Sequence, residues 1–363
     1  MTARPRVAPP ALRAWYVSRG AVLALMALAT WLQVRHGYGR APVRPGGTAF
    51  LAWDGDWYRD IATSGYDSPD AVRFFPLYPM LARPFAPLGP VAVGVVLVAV
   101  ANAAALAYAE GLVRLARLEL GETAAGRVPW LALLNPAAFV LAIAYAEALA
   151  AALAVWCVYA LRRQRWLLAA ALGFAVGLAR PVGLLLAVPA LVEAVRVRSR
   201  AGLVPRALAV AAPPLGCAAY LLWCRVAWGD ALLPFRVQQR SELRSGVLTL
   251  PTREIARAWR ALLELGPWNL ALRLVWIPVL LALLAVTARR LPASYVLYAA
   301  PILLVALGTP RLASFERYAL SAFPLLLAAA SLRSRLVAVT LGASWSLALG
   351  LYAILGFANR YVP

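Results

Sequence analysis

The chain has 363 residues, 63% of them apolar, with a net charge of +21 and a mean hydropathy of +0.73. A soluble core of this length needs no such excess, and long uncharged runs recur from residue 20 to residue 357, so composition points to a polytopic helical membrane protein. All 36 basic residues are Arg, scattered between apolar runs without an aromatic-flanked basic face, which argues against a nucleic-acid-binding module.

In chain order, Arg4, Arg6 and Arg13 precede the apolar run Gly20 to Val34, and the following His36-Gly37-Tyr38-Gly39-Arg40 offers no small-residue cleavage site. This reads as an uncleaved first span with a cytoplasmic N-terminus. Further spans are expected at 91–109, 128–144, 146–161, 166–179, 182–195, 207–227, 271–287, 293–308, 318–331 and 336–357, about 11 in all. Several fall short of the roughly 20 residues of a full crossing. Splits at Tyr145-Ala146-Glu147 and at Arg180-Pro181 require short helices meeting at polar turns that protein covers.

With the N-terminus inside, every second connection should be short and rich in Arg. Arg114/Arg117/Arg127, Arg162-Arg163-Gln164-Arg165, Arg196 to Arg206, Arg289-Arg290 and Arg333/Arg335 all fit. The remaining connections, including a large first loop at 35–90 and a second at 228–270, then lie on the outer side of an inner or plasma membrane. Residues 1–363 form one integral membrane domain. The first loop opens on a turn-rich Pro42 to Gly47, carries short interfacial helices, among them Trp53 to Ser64, and returns to the membrane through Phe74-Phe75-Pro76-Leu77-Tyr78-Pro79.

Five of the six aspartates fall between Asp54 and Asp70, and this topology puts them on one membrane face with Glu147, Arg180, Asp230, Glu316 and Arg317. A carboxylate beside the bilayer can act as a general base toward an acceptor hydroxyl. Asp54 and Asp56 diverge by about 200° on a helix, whereas an extended turn around Gly55 would let both reach one cavity. The competing reading is an N-cap for the following helix. Arg180 suits a phosphate by its fork geometry, and equally a structural pair with Glu147. Arg236 to Arg260 reads as a basic amphipathic surface facing headgroups. Cys157, Cys217 and Cys224 sit in apolar runs without paired spacing, and His36 is the single histidine. Neither a disulfide framework, a zinc site nor a histidine-based triad is suggested.

These pieces resemble the glycosylphosphatidylinositol mannosyltransferase II-type (PIG-V-like) family of GT-C membrane glycosyltransferases, in a bacterial form. The resemblance lies in Trp53-Asp54-Gly55-Asp56-Trp57-Tyr58-x-x-Ile61-Ala62-x-x-Gly65-Tyr66 with Phe74 to Pro79, then Asn135-Pro136 and Tyr145-Ala146-Glu147. It continues in Ala179-Arg180-Pro181-x-Gly183-Leu184, Gly229-Asp230-x-Leu232-x-Pro234-Phe235, and Arg317-Tyr318 before Pro324-Leu325. It implies an all-α, GT-C-like bundle and inverting transfer of mannose from polyprenyl-phosphate mannose to an envelope lipid, glycan or protein. Asp54 would be the base, supported by Asp56. Arg180 and Arg317 would hold the donor phosphate, with Tyr318, Glu147, Tyr78 and Glu316 completing the substrate-binding set. The family commonly has Ser where this chain has Ala146, and Ser-Asn where it has Pro181. No metal is required by this chemistry, although the clustered aspartates leave room for Mg2+ or Mn2+, and a membrane partner subunit is compatible with it.

The alternative reading is a transporter or flippase of a lipid-linked or anionic substrate, motivated by broken helices and intramembrane charges. Transporters of that kind show internal repeats and mid-span acids. This chain shows no evident repeat and keeps its acids in the loop, which favours the enzyme.

Overall fold

A computed structural model describes residues 9–38, 49–197, 202–240, 248–264, 273–312 and 314–360. The turn expected at Pro42 to Gly47, the middle of the Arg236 to Arg260 surface and parts of both large loops lie outside these residues.

Among the described residues every regular element is a helix. The elements are α1 (Pro9–His36), α2 (Asp54–Ser64), α3 (Leu77–Ala82), α4 (Pro90–Leu120), α5 (Glu122–Leu133), α6 (Ala146–Arg162), α7 (Trp166–Ala179) and α8 (Ala187–Arg196). They continue as α9 (Leu203–Trp228), α10 (Leu233–Gln238), α11 (Pro251–Leu263), α12 (Trp276–Arg290), α13 (Ala293–Leu307), α14 (Phe315–Leu320), α15 (Pro324–Ala330) and α16 (Arg335–Phe357). Four of them, α1, α4, α9 and α16, are long and apolar enough to cross a membrane. The expected count of about 11 spans is therefore not reached by crossing-length helices.

Proline explains where the expected spans fall short. The stretch 128–144 keeps its helix only to Leu133. At Asn135-Pro136 the missing N–H and the restricted preceding residue end it, and the chain continues through a 3-10 turn at Ala138–Leu141. Every residue from Pro136 to Ala148 is buried, so protein covers this irregular backbone. Pro324 likewise divides 318–331 between α14 and α15. The stretch 182–195 starts as a 3-10 turn, Pro181–Leu186, before α8.

Glycine sets the closest helix contact. A Cβ on Gly216 of α9 would stand 2.1 Å from Phe174 O of α7, and one on Gly177 would stand 2.2 Å from Pro213 O. These two helices pack backbone against backbone, which no larger residue permits.

The arginine connections gather at one end of the bundle. Arg162 donates to Glu119 at 2.7 Å and to Glu193 at 2.9 Å. Tyr295 donates to Glu119 at 3.0 Å, and Ser294 to Glu193 at 2.6 Å. Arg127 reaches Leu332 O at 2.9 Å, Arg206 reaches Val197 O at 2.7 Å, and Arg290 bonds Ser331 O. Glu147 and Arg162 occupy opposite ends of α6, about 22 Å apart at 1.5 Å per residue. The opposite pole holds the acids and arginines singled out from the sequence.

Candidate active site

Four elements converge at that pole. Asp54 is the first residue of α2 and Glu147 lies in the first turn of α6, both near helix N-termini whose dipoles favour carboxylates. Arg180 caps the end of α7 in an extended conformation, and Arg317 lies within α14. The chain turns sharply after Arg180 because Pro181 cannot extend α7. Gly183 then passes so close to that helix that a Cβ would stand 2.6 Å from the Val176 backbone.

The four side chains alternate in sign. Arg317 Nη1 donates to Asp54 Oδ2 at 2.7 Å, and Arg317 Nε stands 3.4 Å from Glu147 Oε1. Arg180 Nη1 pairs with the same Glu147 oxygen. One carboxylate thus draws two guanidinium groups together, and a second caps the series: Asp54–Arg317–Glu147–Arg180. The side chains of Glu147 and Arg317 are 4% and 6% exposed, but that of Asp54 is 29% exposed. Asp54 is the more exposed of the two carboxylates.

Aromatic rings floor this series. Arg317 lies over the Tyr145 and Tyr318 rings, at 5.5 and 5.6 Å from their centroids, and Arg180 lies 5.9 Å from that of Tyr318. Stacking of this kind holds a planar cation without consuming its in-plane donors. The Asp54 backbone N–H donates to Tyr145 Oη at 3.4 Å. Ala144 N–H donates to Phe50 O at 2.8 Å, and Gly55 leaves a would-be Cβ only 3.3 Å from Ala144. The turn carrying Tyr145 and Glu147 is thereby docked on the start of α2. Trp53, just before Asp54, takes a φ of +54°, a costly conformation for a non-glycine residue that the surrounding contacts maintain.

The remaining sequence-derived residues are placed differently. Asp56 is 2% exposed and pairs with Arg59. Because α2 is helical from Asp54 onward, Asp56 diverges from Asp54, and the extended turn that would have joined them is not formed. Tyr78 is fully buried, donates to Leu97 O at 2.8 Å, and packs edge-on to Tyr58 at 4.9 Å. It supports α2 from behind. Glu316 turns away from Arg317, accepting from Tyr352 Oη at 2.6 Å with Arg273 Nε 3.9 Å away. Asp230 pairs with Arg236 at 2.8 Å on the surface.

Two site residues were not singled out from the sequence. Tyr145 touches both Asp54 and Arg317, and its position beside Glu147 in a buried turn was the available signal. Tyr58 packs beneath the charged series. Burial, and then the charges of Glu147 and Asp54, push its phenol well above its ordinary pKa, so it remains a neutral hydroxyl. Among the described residues no group of three or more His, Cys, Asp or Glu side chains is arranged to hold a metal.

A membrane-type helical bundle with a partly exposed carboxylate beside one buried and one half-buried guanidinium has the charge pattern of a group-transfer site for an anionic substrate. The family described as Mannosyltransferase (PIG-V) matches residues 47–194. That stretch contains Asp54, Asp56, Tyr78, Glu147 and Arg180, and the match bears out the resemblance carried by the motifs from Trp53 to Leu184 and the reading of the chain as a glycosyltransferase; the motifs at Gly229 and Arg317 lie beyond it.

Two solved structures align with most of this chain's length. ArnT from Cupriavidus metallidurans, bound to undecaprenyl phosphate, is 15% identical with a TM-score of 0.49, over 94% of this chain and 76% of that one. The Archaeoglobus fulgidus oligosaccharyltransferase, tethered to an acceptor peptide, is 13% identical with a TM-score of 0.46, over 96% of this chain and 56% of that one. No curated protein matches the chain.

Proposed function

We propose that the protein transfers mannose from polyprenyl-phosphate mannose to an acceptor hydroxyl at the outer face of the membrane, inverting the anomeric carbon. The observation that carries this reading is the series Asp54–Arg317–Glu147–Arg180, with only Asp54 substantially open. The acceptor oxygen attacks C1 of the mannose as Asp54 takes its proton. The bond from C1 to the phosphate oxygen breaks, and its electron pair leaves with polyprenyl phosphate. Charge grows on that phosphate in the transition state, where Arg317 and Arg180 stabilise it.

Glu147 has a positioning role. Two guanidiniums facing one phosphate repel each other, and a shared buried carboxylate offsets that repulsion while fixing both. Arg317 can exchange its contact with Asp54 for the donor phosphate, which frees the carboxylate to accept a proton. Asp56 has no place in this scheme beyond holding α2 through Arg59. In this reading the arginine-rich end faces the cytoplasm and the site faces outward, the orientation that the positive-inside rule favours.

Sealed vesicles test the donor and its side together. Mannose transfer is expected from polyprenyl-phosphate mannose in right-side-out vesicles, and none from a nucleotide mannose added outside. Transfer from the nucleotide sugar, or from the lipid donor only at the cytoplasmic face, would overturn the reading.

A further inference from the structure

The turn that leads into α14 is held in a costly shape. Arg311, Leu312 and Ser314 take φ values of +56°, +51° and +55°, which residues with a Cβ keep only where neighbouring contacts maintain them. Ser314 directly precedes α14, and Arg317 is the third residue of that helix. Whatever fixes this turn therefore fixes the approach of Arg317 to Asp54 and Glu147.

α11 and Thr249 just before it grip the turn. Glu254, fully buried on α11, accepts the Arg311 N–H at 2.8 Å and the Thr249 hydroxyl at 2.8 Å. The Thr249 N–H donates to Gly308 O at 2.8 Å. Arg273 Nη1 donates to Arg311 O at 2.6 Å. The backbone at Arg311 is thus held at its N–H by a helix whose remaining faces are free to meet something else.

Those faces are sorted by chemistry. At about 100° per residue, the buried Glu254, Ala258 and Ala261 share one side of α11, Trp259, Leu262 and Leu263 follow on the next, and Arg253 and Arg260 share the one beyond. Trp259 is 55% exposed and Leu263 67%. Arg257 pairs with Glu254, whereas the exposed Arg253 and Arg260 form no ion pair among the described residues. The 13 residues of α11 are too few to cross a bilayer. An apolar flank with an indole beside a flank of unpaired arginines suits a helix lying in the membrane interface, where acyl chains take the one and anionic headgroups the other.

Two observations favour a lipid surface over a protein as what covers these flanks. α11 packs on α13 as well as on the turn, and Leu304 and Val305 near the end of α13 are exposed apolar residues of a helix in a membrane-type bundle. A second copy of a chain with net charge +21 would set arginine against arginine.

We propose that α11 seats in an anionic lipid surface and that this seating, through Glu254 and the turn before α14, holds Arg317 in place for the donor phosphate; the donor clause rests on the glycosyltransferase reading above. Arg253 and Arg260 then act on the site from a distance, as positioning residues that sense lipid charge.

The test places the full chain in nanodiscs of phosphatidylcholine alone or mixed with phosphatidylglycerol. Leu263→Cys carries a nitroxide, since the three native cysteines are buried. In anionic discs the label should be more accessible to oxygen than to a water-soluble nickel chelate. Hydrogen exchange of the peptide containing Arg311 and Leu312 should slow at least fivefold when phosphatidylglycerol is added. Arg253→Gln/Arg260→Gln should abolish that slowing. Glu254→Ala should abolish it too while leaving the nitroxide in lipid, which separates seating from transmission; if that variant fails to fold, the exposed arginine pair carries the test.

A nitroxide in water, or exchange that ignores lipid charge, overturns the proposal. Dipolar broadening between labels overturns it by giving the face to a second copy. Undecaprenyl phosphate should bind at least threefold more tightly in anionic than in neutral discs, and equally in both for Arg253→Gln/Arg260→Gln. Weaker binding in anionic discs would mean that the lipid competes for the site, and overturns the coupling. Depth and exchange need no turnover, so a chain that behaves as expected in both yet transfers no mannose counts against the glycosyltransferase reading and not against the lipid-seated helix.

Discussion

Arg317 Nη1 lies 2.7 Å from Asp54 Oδ2, joining residues 263 positions apart in sequence. This contact ties the first large loop to α14 and brings a partly exposed carboxylate against a buried guanidinium. It makes the two ends of the motif series one site.

Breaking the contact from the arginine side should cost stability as well as activity. Arg317→Gln leaves the partly exposed Asp54 without its cation and the buried Glu147 with Arg180 alone, which should cost about 1–3 kcal/mol. Asp54→Asn combined with Arg317→Gln should recover at least about 1 kcal/mol relative to Arg317→Gln, because the unpaired carboxylate is gone. Thermal unfolding of the detergent-solubilised variants measures the recovery. Additive destabilisation would show that the two side chains do not interact.

Glu147→Gln should separate positioning from proton transfer. With the shared carboxylate neutralised, Arg180 and Arg317 repel each other, and the donor KM should rise about tenfold or more, a loss of roughly 1.4 kcal/mol. Glu147→Asp should restore part of that affinity. An unchanged donor KM in Glu147→Gln would remove Glu147 from the site.

Gly183→Ala should act on Arg180 from a distance. Its Cβ would stand 2.6 Å from the Val176 backbone, so the turn after Arg180 must shift, at about 1–3 kcal/mol for overpacking of this kind. Donor affinity should fall together with the unfolding temperature. A variant with wild-type values of both would show that the turn tolerates the displacement.

The other pole supplies a contrast. Glu193→Gln weakens the contacts of Arg162 and Ser294 with the 8%-exposed Glu193 side chain, and should cost about 1–3 kcal/mol. Turnover per folded molecule should stay within twofold, since Arg162, the partner of Glu193, lies about 22 Å from Glu147 along α6. A large fall in kcat without loss of stability would show that the two poles are coupled.

Much of this arrangement was legible in the sequence for physical reasons that can be named. A guanidinium at Arg180-Pro181 and a carboxylate at Glu147 interrupt apolar stretches, where an ion is tolerated only with a partner, and they do pair. The arginine connections mark one pole because topology places them together. The role of Asp56 was not legible, since Asp54-Gly55-Asp56 admits either a helix or an extended turn, and docking of Gly55 on Ala144 accompanies the helix. Tyr145 was hidden because a tyrosine beside a charge reads the same whether or not it touches a residue 91 positions away. The breaks within the expected spans at Pro136 and Pro324 were not legible, because hydropathy stays high there although the helix is interrupted.

The most direct test of the central claim is mannose transfer from polyprenyl-phosphate mannose by the purified wild-type chain and Asp54→Asn, measured side by side at equal folded concentration. If Asp54 is the base, the variant should retain donor binding within a few fold and lose transfer by about 100-fold or more. Wild-type turnover in Asp54→Asn would contradict the account.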